Sequence, residues 1–325
     1  MASPGQSTLF TTFTELVSTT YRNHSKEVAD NCSYHNALWR RLSEKGRMRM
    51  EDGGLSIVQP LDYAQNSTYQ RYSGFDTLNV AASDVISAAE YQWRQIAINV
   101  VASGRELRIN SGESRIINLA KARIKNAIRT FNNNFSSDLY SSGSLANQIG
   151  GLQLLIADAT GSTVGGILDT TWPFWANNIT DVSVIGGTMG PTTIEGSYML
   201  AAWLATDRGP DDQVDLIVMD SVYYAYFEAS QVSMKRYNDT SKGDAGFVTL
   251  KYKNADVIYD GNSGIPASHA YGINTEYIQL VVHQDADLEI MDEMRPINQD
   301  GSVIPILWMG NLTCSNRKQQ FVVHA

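Results

Sequence analysis

The sequence predicts an α+β fold with an extended β-hairpin, one long helix and an α/β lobe. Three observations carry this prediction: period-two alternation before residue 103, a helical apolar stripe between residues 111 and 141, and short mixed segments separated by glycine turns after residue 150. With 43% hydrophobic residues among 325, the chain can bury a sizeable core, which excludes global disorder. Charged residues make up only 18%, which favours a chain that hides part of its surface in an assembly.

Residues 1–50 are interpreted as an N-terminal arm. This segment is polar and mixed, becomes basic after Trp39, and shows no sustained helical or strand period. We therefore expect an extended arm that packs on another surface.

Residues 51–95 are predicted to form an extended loop, a long β-hairpin whose turn lies near Ser73-Gly74. On the returning strand the apolar phase changes between Trp93 and Ile96, which predicts a bulge or a strand that swaps its partner face. Because a lone hairpin is barely stable in water, we expect this one to lie on another surface. Aromatic and basic side chains of the loop are assigned to a packed protein interface: Tyr63, Tyr69, Arg71, Tyr72, Tyr91 and Trp93.

The region 111–141 carries the clearest helical signal. Apolar residues recur every three or four positions along it, at Ile117, Ala120, Ile124, Ile128, Phe131, Phe135 and Leu139. Ser111 is a suitable N-cap, and Gly143 ends the run.

The same helix carries a set of basic residues: Arg115, Lys121, Arg123, Lys125 and Arg129. Lys121, Lys125 and Arg129 share one flank, whereas Arg123 falls on the other. We interpret the set either as a face that contacts DNA phosphates or a neighbouring protein, or as an ordinary solvated helix surface. The formal net charge of −9 argues against a dedicated nucleic-acid-binding protein.

Beyond residue 150 the pattern predicts a small α/β lobe. Ile194–Thr206 is a predicted helix, Val214–Met219 a buried strand, and Asp220-Ser221 the start of another helix. Later segments have strand character: Val248–Tyr252, Ala255–Tyr259, Tyr277–Val282, Leu288–Met291 and Val303–Met309.

No catalytic or cofactor motif is found. The sequence lacks a His-Glu-x-x-His zinc motif, a phosphate-binding loop with its lysine, and a Gly-x-Ser-x-Gly elbow. Two cysteines, Cys32 and Cys314, are too few for a disulfide framework or a four-thiolate zinc site. Asp285, Asp287 and Glu289 would share one face of a strand and are the sole candidates for a metal site, but we favour a solvated or intersubunit face. Neither a secretory signal nor a membrane-spanning run is found, so an intracellular, non-membrane protein is expected.

Four stretches in this order resemble the major capsid proteins of tailed bacteriophages, the Hong Kong 97 capsid fold family. They are residues 56–63 (SIVQPLDY), 78–86 (LNVAASDVI), 123–127 (RIKNA) and 308–312 (WMGNL), with NQIGGL at 147–152 after the long helix. The resemblance runs from about residue 45 to the end of the chain, and its specificity lies in the order of the segments.

The resemblance implies an arm at 1–50, an extended loop at 51–95, a peripheral domain at 96–149 with a spine helix at 111–141, an axial domain at 150–290, and return strands at 291–325. It also implies a structural, non-enzymatic protein without cofactors. Copies would form hexamers and pentamers of an icosahedral shell that encloses double-stranded DNA by non-specific contact, in the virion capsid after assembly in the host cytoplasm. Expected partners are further copies of the chain, a separate scaffolding protein and a portal, with a decoration protein as a further candidate.

Three alternatives stay open at this point. An encapsulin-like shell would enclose an enzyme instead of DNA, and sequence separates this reading poorly from a capsid. A soluble α+β enzyme whose site has no recognisable motif is the second alternative, and it predicts a monomer with a titratable activity. The third is a tail or decoration protein, which would attach to particles without forming a closed shell.

Overall fold

The computed structural model describes residues 36–109, 119–235, 250–260 and 264–325. Its helices are α1 (Ala37–Glu44), α2 (Gly104–Ile109), α3 (Leu119–Leu139), α4 (Leu152–Leu155), α5 (Val182–Ile185), α6 (Leu200–Thr206) and α7 (Ser221–Lys235). Its strands are β1 (Met48–Glu51), β2 (Ile57–Asp62), β3 (Ile86–Tyr91), β4 (Arg94–Ser103), β5 (Thr163–Val164), β6 (Ile167–Leu168), β7 (Asn178–Asp181), β8 (Leu216–Met219), β9 (Leu250–Tyr252), β10 (Ala255–Tyr259), β11 (His269–Ile273), β12 (Ile278–His283), β13 (Glu289–Ile290), β14 (Gly301–Cys314) and β15 (Phe321–His324). Two 3₁₀ turns, Pro173–Trp175 and Arg317–Gln319, and a π-helix at Ile194–Met199 complete the set.

The described residues divide into two compact units. Unit 1 holds residues 97–133 and 288–307 within the described ranges, and unit 2 holds the rest. The core of unit 1 joins Val100 of β4, Ala127 of α3 and Ile306 of β14. Because these residues lie far apart in the chain, unit 1 forms only when the long helix, β4 and β14 come together.

The long helix is present from Leu119 to Leu139, and its apolar stripe is confirmed over the described turns. Phe131, Phe135 and Leu139 are buried, and Ile124 and Ile128 pack partly buried against the unit 1 core. Positions 111–118 of the predicted helix lie outside the described residues.

Six strands form the main sheet of unit 2, in the order β7-β15-β11-β8-β10-β9. Strand β8 is buried along its whole length, as its uninterrupted Leu-Ile-Val-Met sequence predicts. Trp203 of α6 and Phe227 of α7 cover the sheet, and both rings meet Tyr252 of β9 edge to face. Three strands of this sheet, β7, β11 and β15, were not predicted, because each is only four or five residues long and shows no clear period.

Residues 37–51 are folded, and the extended conformation expected for them is wrong. Asn36 caps α1 by accepting a hydrogen bond from the Trp39 amide at 2.7 Å, and Leu38 and Leu42 on the inner face are fully buried. Strand β1 then pairs in parallel with β12. Two leucines in an eight-residue helix rich in arginine give too weak a period to recognise. Residues 1–35 lie outside the described residues.

Strand β14 is longer than predicted and has more than one partner. Its last residues pair with β12, and Ile306 and Leu307 pair with β13. Strand β4 also pairs with β14, whereas β3 pairs with β2, so the phase shift near residue 94 marks a change of partner, as predicted.

Gly151 lies where a side chain has no room. A Cβ at this position would sit 2.5 Å from the carbonyl oxygen of Asp138 and 2.4 Å from the amide nitrogen of Ser141, both backbone atoms. We expect Gly151→Ala to lower the free energy of unfolding by about 1–3 kcal/mol, the usual cost of overpacking. Chemical denaturation should measure the loss. Gly196→Ala is the matched control, since nothing lies within 4 Å of its Cβ position; an equal loss in both variants would contradict the steric explanation.

At one end of the main sheet His269 of β11 pairs with His324 of β15, and their rings stack at 5.5 Å. The Nε2 atom of His269 lies 3.2 Å from a carboxylate oxygen of Asp158, and Nδ1 lies 2.8 Å from the carbonyl of Ala267. Burial lowers the pKa of His269, but hydrogen bonding to Asp158 and Ala267 outweighs it, so the net pKa lies above the usual 6.5.

This contact predicts a pH dependence of stability. Since the pKa of His269 is higher in the folded than in the unfolded chain, the stabilisation is fully present below about pH 6.5 and is lost as the pH rises through the folded-state pKa. Thermal unfolding across this range should show the decline in the wild type. His269→Gln and Asp158→Asn should each flatten it, and an unchanged slope in both variants would refute the assignment.

Candidate interaction surface

The extended loop consists of a paired root and a longer distal segment. The root is the antiparallel pair β2–β3, in register from Ile57 opposite Tyr91 to Asp62 opposite Ile86. The distal segment comprises residues 64–85, which contain no strand or helix. Alternate side chains of the root point to one buried face: Ile57, Gln59, Leu61, Ala89 and Tyr91.

The root is docked on its own chain. The Tyr91 hydroxyl donates a 2.8 Å hydrogen bond to the carbonyl of Cys314, and the Gln59 side chain donates to the Thr313 hydroxyl at 3.1 Å. Burial strongly raises the pKa of the Tyr91 hydroxyl and raises the pKa of the Cys314 thiol to about 12. Tyr91 is only 5% exposed, so its assignment to an interface between chains is corrected: it is a core residue of its own chain.

The turn between β5 and β6 also holds the root. The amide of Glu90 donates to the Gly165 carbonyl at 3.0 Å, and a Cβ on Gly165 would lie 2.7 Å from that of Ala89. Gly165 has a φ of +58°, so this close approach needs glycine for both its conformation and its size.

Where the root ends, Tyr63 enters an aromatic cluster, which we define as Tyr63, Trp172 and Phe174. The ring of Tyr63 stacks on Phe174 at 5.5 Å and meets Trp172 edge to face at 5.8 Å. Partial removal from water and the neighbouring Asp84 carboxylate raise the pKa of the Tyr63 hydroxyl. Next to the cluster, Trp175 is fully buried and donates through its indole nitrogen to the Val164 carbonyl at 2.9 Å.

Trp93 also makes contacts inside its own chain. Its indole nitrogen donates to the carbonyl of Gly54 at 3.0 Å, and its ring meets His283 edge to face at 5.7 Å. The side chain is half-buried, so part of it stays available to a neighbour.

The distal segment exposes an apolar surface. Tyr69 is 80% and Tyr72 66% exposed, and Arg71 between them is exposed as well. Three further apolar residues of the segment, which sequence reasoning did not single out, are exposed: Phe75, Leu78 and Val80. The sequence signal that could have identified them is their apolar character within an otherwise polar stretch. Several exposed large apolar side chains within one short segment are typical of a protein interface.

Polar contacts within the distal segment give it a defined shape. The side chain of Gln70 donates to the carbonyl of Thr77 and accepts from the amide of Asn79, which bridges the two limbs of the tip. The Asn66 carboxamide oxygen accepts from the Thr68 amide at 2.9 Å.

The three basic residues of the long helix whose side chains the structure describes differ in their surroundings. Arg123 is bound within unit 1, where it donates to Glu106 at 3.1 Å and to the Val101 carbonyl. Burial opposes ionisation of Glu106, but hydrogen bonds from Arg123 and from the Ser103 amide hold its pKa below the usual value. Lys125 is exposed and Arg129 half-buried, whereas Arg115 and the side chain of Lys121 lie outside the described residues. Arg123 thus forms an ion pair within its own chain, and the interpretation of the basic set as a face that contacts DNA or a neighbouring protein stays a prediction.

The acidic candidates do not share a strand face. Asp285 lies in the turn after β12 and Asp287 in a bend, and only Glu289 belongs to a strand, the two-residue β13. The sequence prediction of one strand through all three was wrong, since Leu288 adopts a φ of +53°. Within the described ranges no three His, Cys, Asp or Glu side chains are grouped to hold a metal ion. The helices in those ranges include none long and apolar enough to cross a membrane.

Neither a protein-family model nor a curated protein matches the chain. Among solved structures, the capsid asymmetric unit of cyanophage A-1(L) matches with a TM-score of 0.64 over 93% of this chain and 96% of that one, at 15% identity. The chain has the Hong Kong 97-type capsid fold. The predicted fold class is thereby confirmed.

Two further structures show how widely this capsid fold is shared. The capsid of Myoviridae phage XM1 matches with a TM-score of 0.56 at 10% identity, covering 93% of this chain and 95% of that one. The SrpI encapsulin of Synechococcus elongatus PCC 7942 matches with 0.58 at 10% identity, covering 95% and 94%. Phage capsids and an encapsulin thus share the capsid fold with this chain.

Proposed function

We propose that the chain is the major capsid subunit of a tailed bacteriophage, assembling as hexamers and pentamers into an icosahedral shell around double-stranded DNA. The observation that carries the proposal is the exposed apolar surface of the distal segment, presented on a capsid fold. A lone soluble subunit gains nothing from exposing Tyr69, Tyr72 and Phe75 together, whereas a neighbouring copy that covers them removes apolar area from water.

The proposed role is structural and not enzymatic. Its main partner is a further copy of the chain; a scaffolding protein, a portal and a decoration protein are the accessory partners we propose. Contact with DNA would be non-specific, through exposed basic side chains such as Lys125. The location that follows is the virion capsid, after assembly in the host cytoplasm.

We propose that the segments of this chain correspond to the domains of the capsid fold. Residues 96–149, with the return strands 291–325, form the peripheral domain, and residues 150–290 form the axial domain. The extended loop 51–95 lies over a neighbouring copy, with the half-exposed Trp93 near its base.

An encapsulin-like shell is the second candidate, favoured by the match to the SrpI encapsulin. It shares the self-assembly and differs in cargo: an enzyme fills the shell instead of DNA. Mass spectrometry of proteins that copurify with shells from the native source separates the two, because a portal accompanies a phage capsid and a single abundant enzyme accompanies an encapsulin.

Negative-stain electron microscopy of the purified chain, with size-exclusion chromatography of the same sample, tests the shared proposal. We expect closed, uniform shells or capsomer rings, alone or with the candidate scaffold coexpressed. A chain that stays monomeric in the presence of that scaffold contradicts the proposal.

A further inference from the structure

We infer that the aromatic cluster of Tyr63, Trp172 and Phe174 is the anchor that sets the direction in which the distal segment leaves its subunit. Tyr63 is thus a positioning residue: it acts on assembly through the segment that follows it. The consequence for assembly rests on the proposed function, whereas the anchor itself is a property of the single chain.

Tyr63 lies at the boundary between an ordered ladder and an irregular segment. Its amide donates to the Val85 carbonyl at 3.0 Å, one step beyond the last registered pair of β2 and β3. Beyond this hydrogen bond, the Asp84 carboxylate neighbours the Tyr63 hydroxyl, and the other polar contacts described for residues 64–85 are local ones of the segment itself, such as the Ser67 amide to the Ser83 hydroxyl. A small rotation at Tyr63 would therefore swing the whole exposed apolar surface.

The cluster connects this boundary to a rigid part of unit 2. Phe174 belongs to the 3₁₀ turn Pro173–Trp175, and the next ring, Trp175, is fully buried and hydrogen-bonded to Val164. Trp172 stands half-exposed and meets both Tyr63 and Phe174 edge to face. Tyr63 is thus packed against a turn that cannot move without disturbing a buried tryptophan.

The cluster adds what the root alone does not supply. The buried face of β2–β3 fixes the plane of the hairpin, but its last buried member on the outgoing strand is Leu61. The side chains that follow on the outgoing limb, from Ala64 to Ser67, are exposed. Without the ring contacts at Tyr63, two-stranded pairing alone would hold the exit point, and such ribbons twist freely.

Distance measurements between two spin labels test the anchor on the unassembled full chain. One label goes on Ser73→Cys at the exposed tip and the other on Lys318→Cys, an exposed residue of unit 2, in a Cys32→Ser background. Cys314 stays in place because it is fully buried and its thiol resists labelling. Pulsed electron paramagnetic resonance then reports the spread of tip positions.

We expect one narrow distance peak in the otherwise wild-type chain and in Tyr63→Phe, which keeps the ring. Tyr63→Ala and Trp172→Ala should lose that peak and give a broad distribution. Tyr69→Ala, which removes the same ring outside the cluster, should keep it. Because Trp172 is half-exposed, its variant tests the anchor even if Tyr63→Ala fails to fold by circular dichroism.

A broad distribution in the unsubstituted chain, or a narrow one in both alanine variants of the cluster, would overturn the inference. Shell yield is measured on the same variants, and should fall in Tyr63→Ala and recover in Tyr63→Phe. If the wild type forms no shells even with the candidate scaffold coexpressed, while the distance results are as expected, the proposed function fails and the anchor stands.

Discussion

Replacing Arg317 by Met should destabilise unit 2 by about 3–5 kcal/mol, the usual cost of removing one member of a buried ion pair. Arg317 is fully buried between β14 and β15. Its guanidinium donates to the Leu155 carbonyl at 2.7 Å, to the Ser162 hydroxyl at 2.9 Å and to the Asn177 side chain at 3.0 Å.

The charge partner of Arg317 is Asp169, 3.9 Å away and also buried. Burial opposes ionisation of Asp169, but hydrogen bonds from Ser162 and Gly161 and the charge of Arg317 hold its pKa below the usual value. Removing the guanidinium thus leaves the buried Asp169 carboxylate without its cation and the Leu155 carbonyl without this donor, whereas the Asn177 side-chain oxygen still accepts from the Ala157 amide.

Urea denaturation followed by circular dichroism measures this loss. Arg295→Met is the matched control. Arg295 forms an ion pair with Glu293 at the same distance, 3.9 Å, but its side chain is 83% exposed, so we expect the free energy of unfolding to fall by about 0–1 kcal/mol. Adding Asp169→Asn to Arg317→Met should recover part of the loss, because the uncompensated charge is then gone. Equal urea midpoints for the Arg317→Met and Arg295→Met variants would show that the buried contacts of Arg317 do not contribute to stability.

Replacing both Tyr69 and Tyr72 by Ala should abolish or strongly reduce shell formation and leave the subunit as stable as the wild type. Exposed in the single chain, the two rings contribute little to its own core. In an assembled interface a buried tyrosine is worth about 2 kcal/mol or more, roughly a 30-fold change in affinity per contact. Because every subunit of a shell repeats the contact, the effect on closed particles is larger than on one pair.

Sedimentation velocity separates shells from subunits, and thermal unfolding of the isolated subunit reports its stability. Thr77→Ala is the control within the same segment, since its exposed side chain is polar and its backbone carbonyl still accepts from Gln70. Intact shells from the double variant, with the stability of the wild type, would remove the distal segment from the proposed interface.

The local periods of the sequence predicted several elements correctly. The apolar stripe of α3, the buried run of β8 and the phase shift that separates β3 from β4 are all read within a dozen residues. The fold class follows from the order of these elements. Short strands such as β7 and β15 were not predicted, because four residues are too few to show a period and neither strand is apolar throughout, as β8 is.

The apolar period of a segment does not show which other part of the chain covers its side chains. Tyr91 and Tyr69 belong to the same extended loop, and by itself the sequence of the loop treats them alike. The structure buries Tyr91 because its hydroxyl meets Cys314, 223 residues further along the chain, and leaves Tyr69 in water. Arg123 and Arg317 differ from exposed arginines for the same reason, since Glu106 and Asp169 are brought to them by tertiary folding.

The sequence by itself thus determined the class of fold, its long helix and the paired strands at the root of its extended loop, whereas residues 64–85 of the predicted hairpin contain no strand. Only the tertiary structure decided which side chains of the extended loop are core residues and which stay exposed. Burial depends on contacts between residues that lie far apart in the chain, and the spacing of apolar residues within one segment does not predict those contacts.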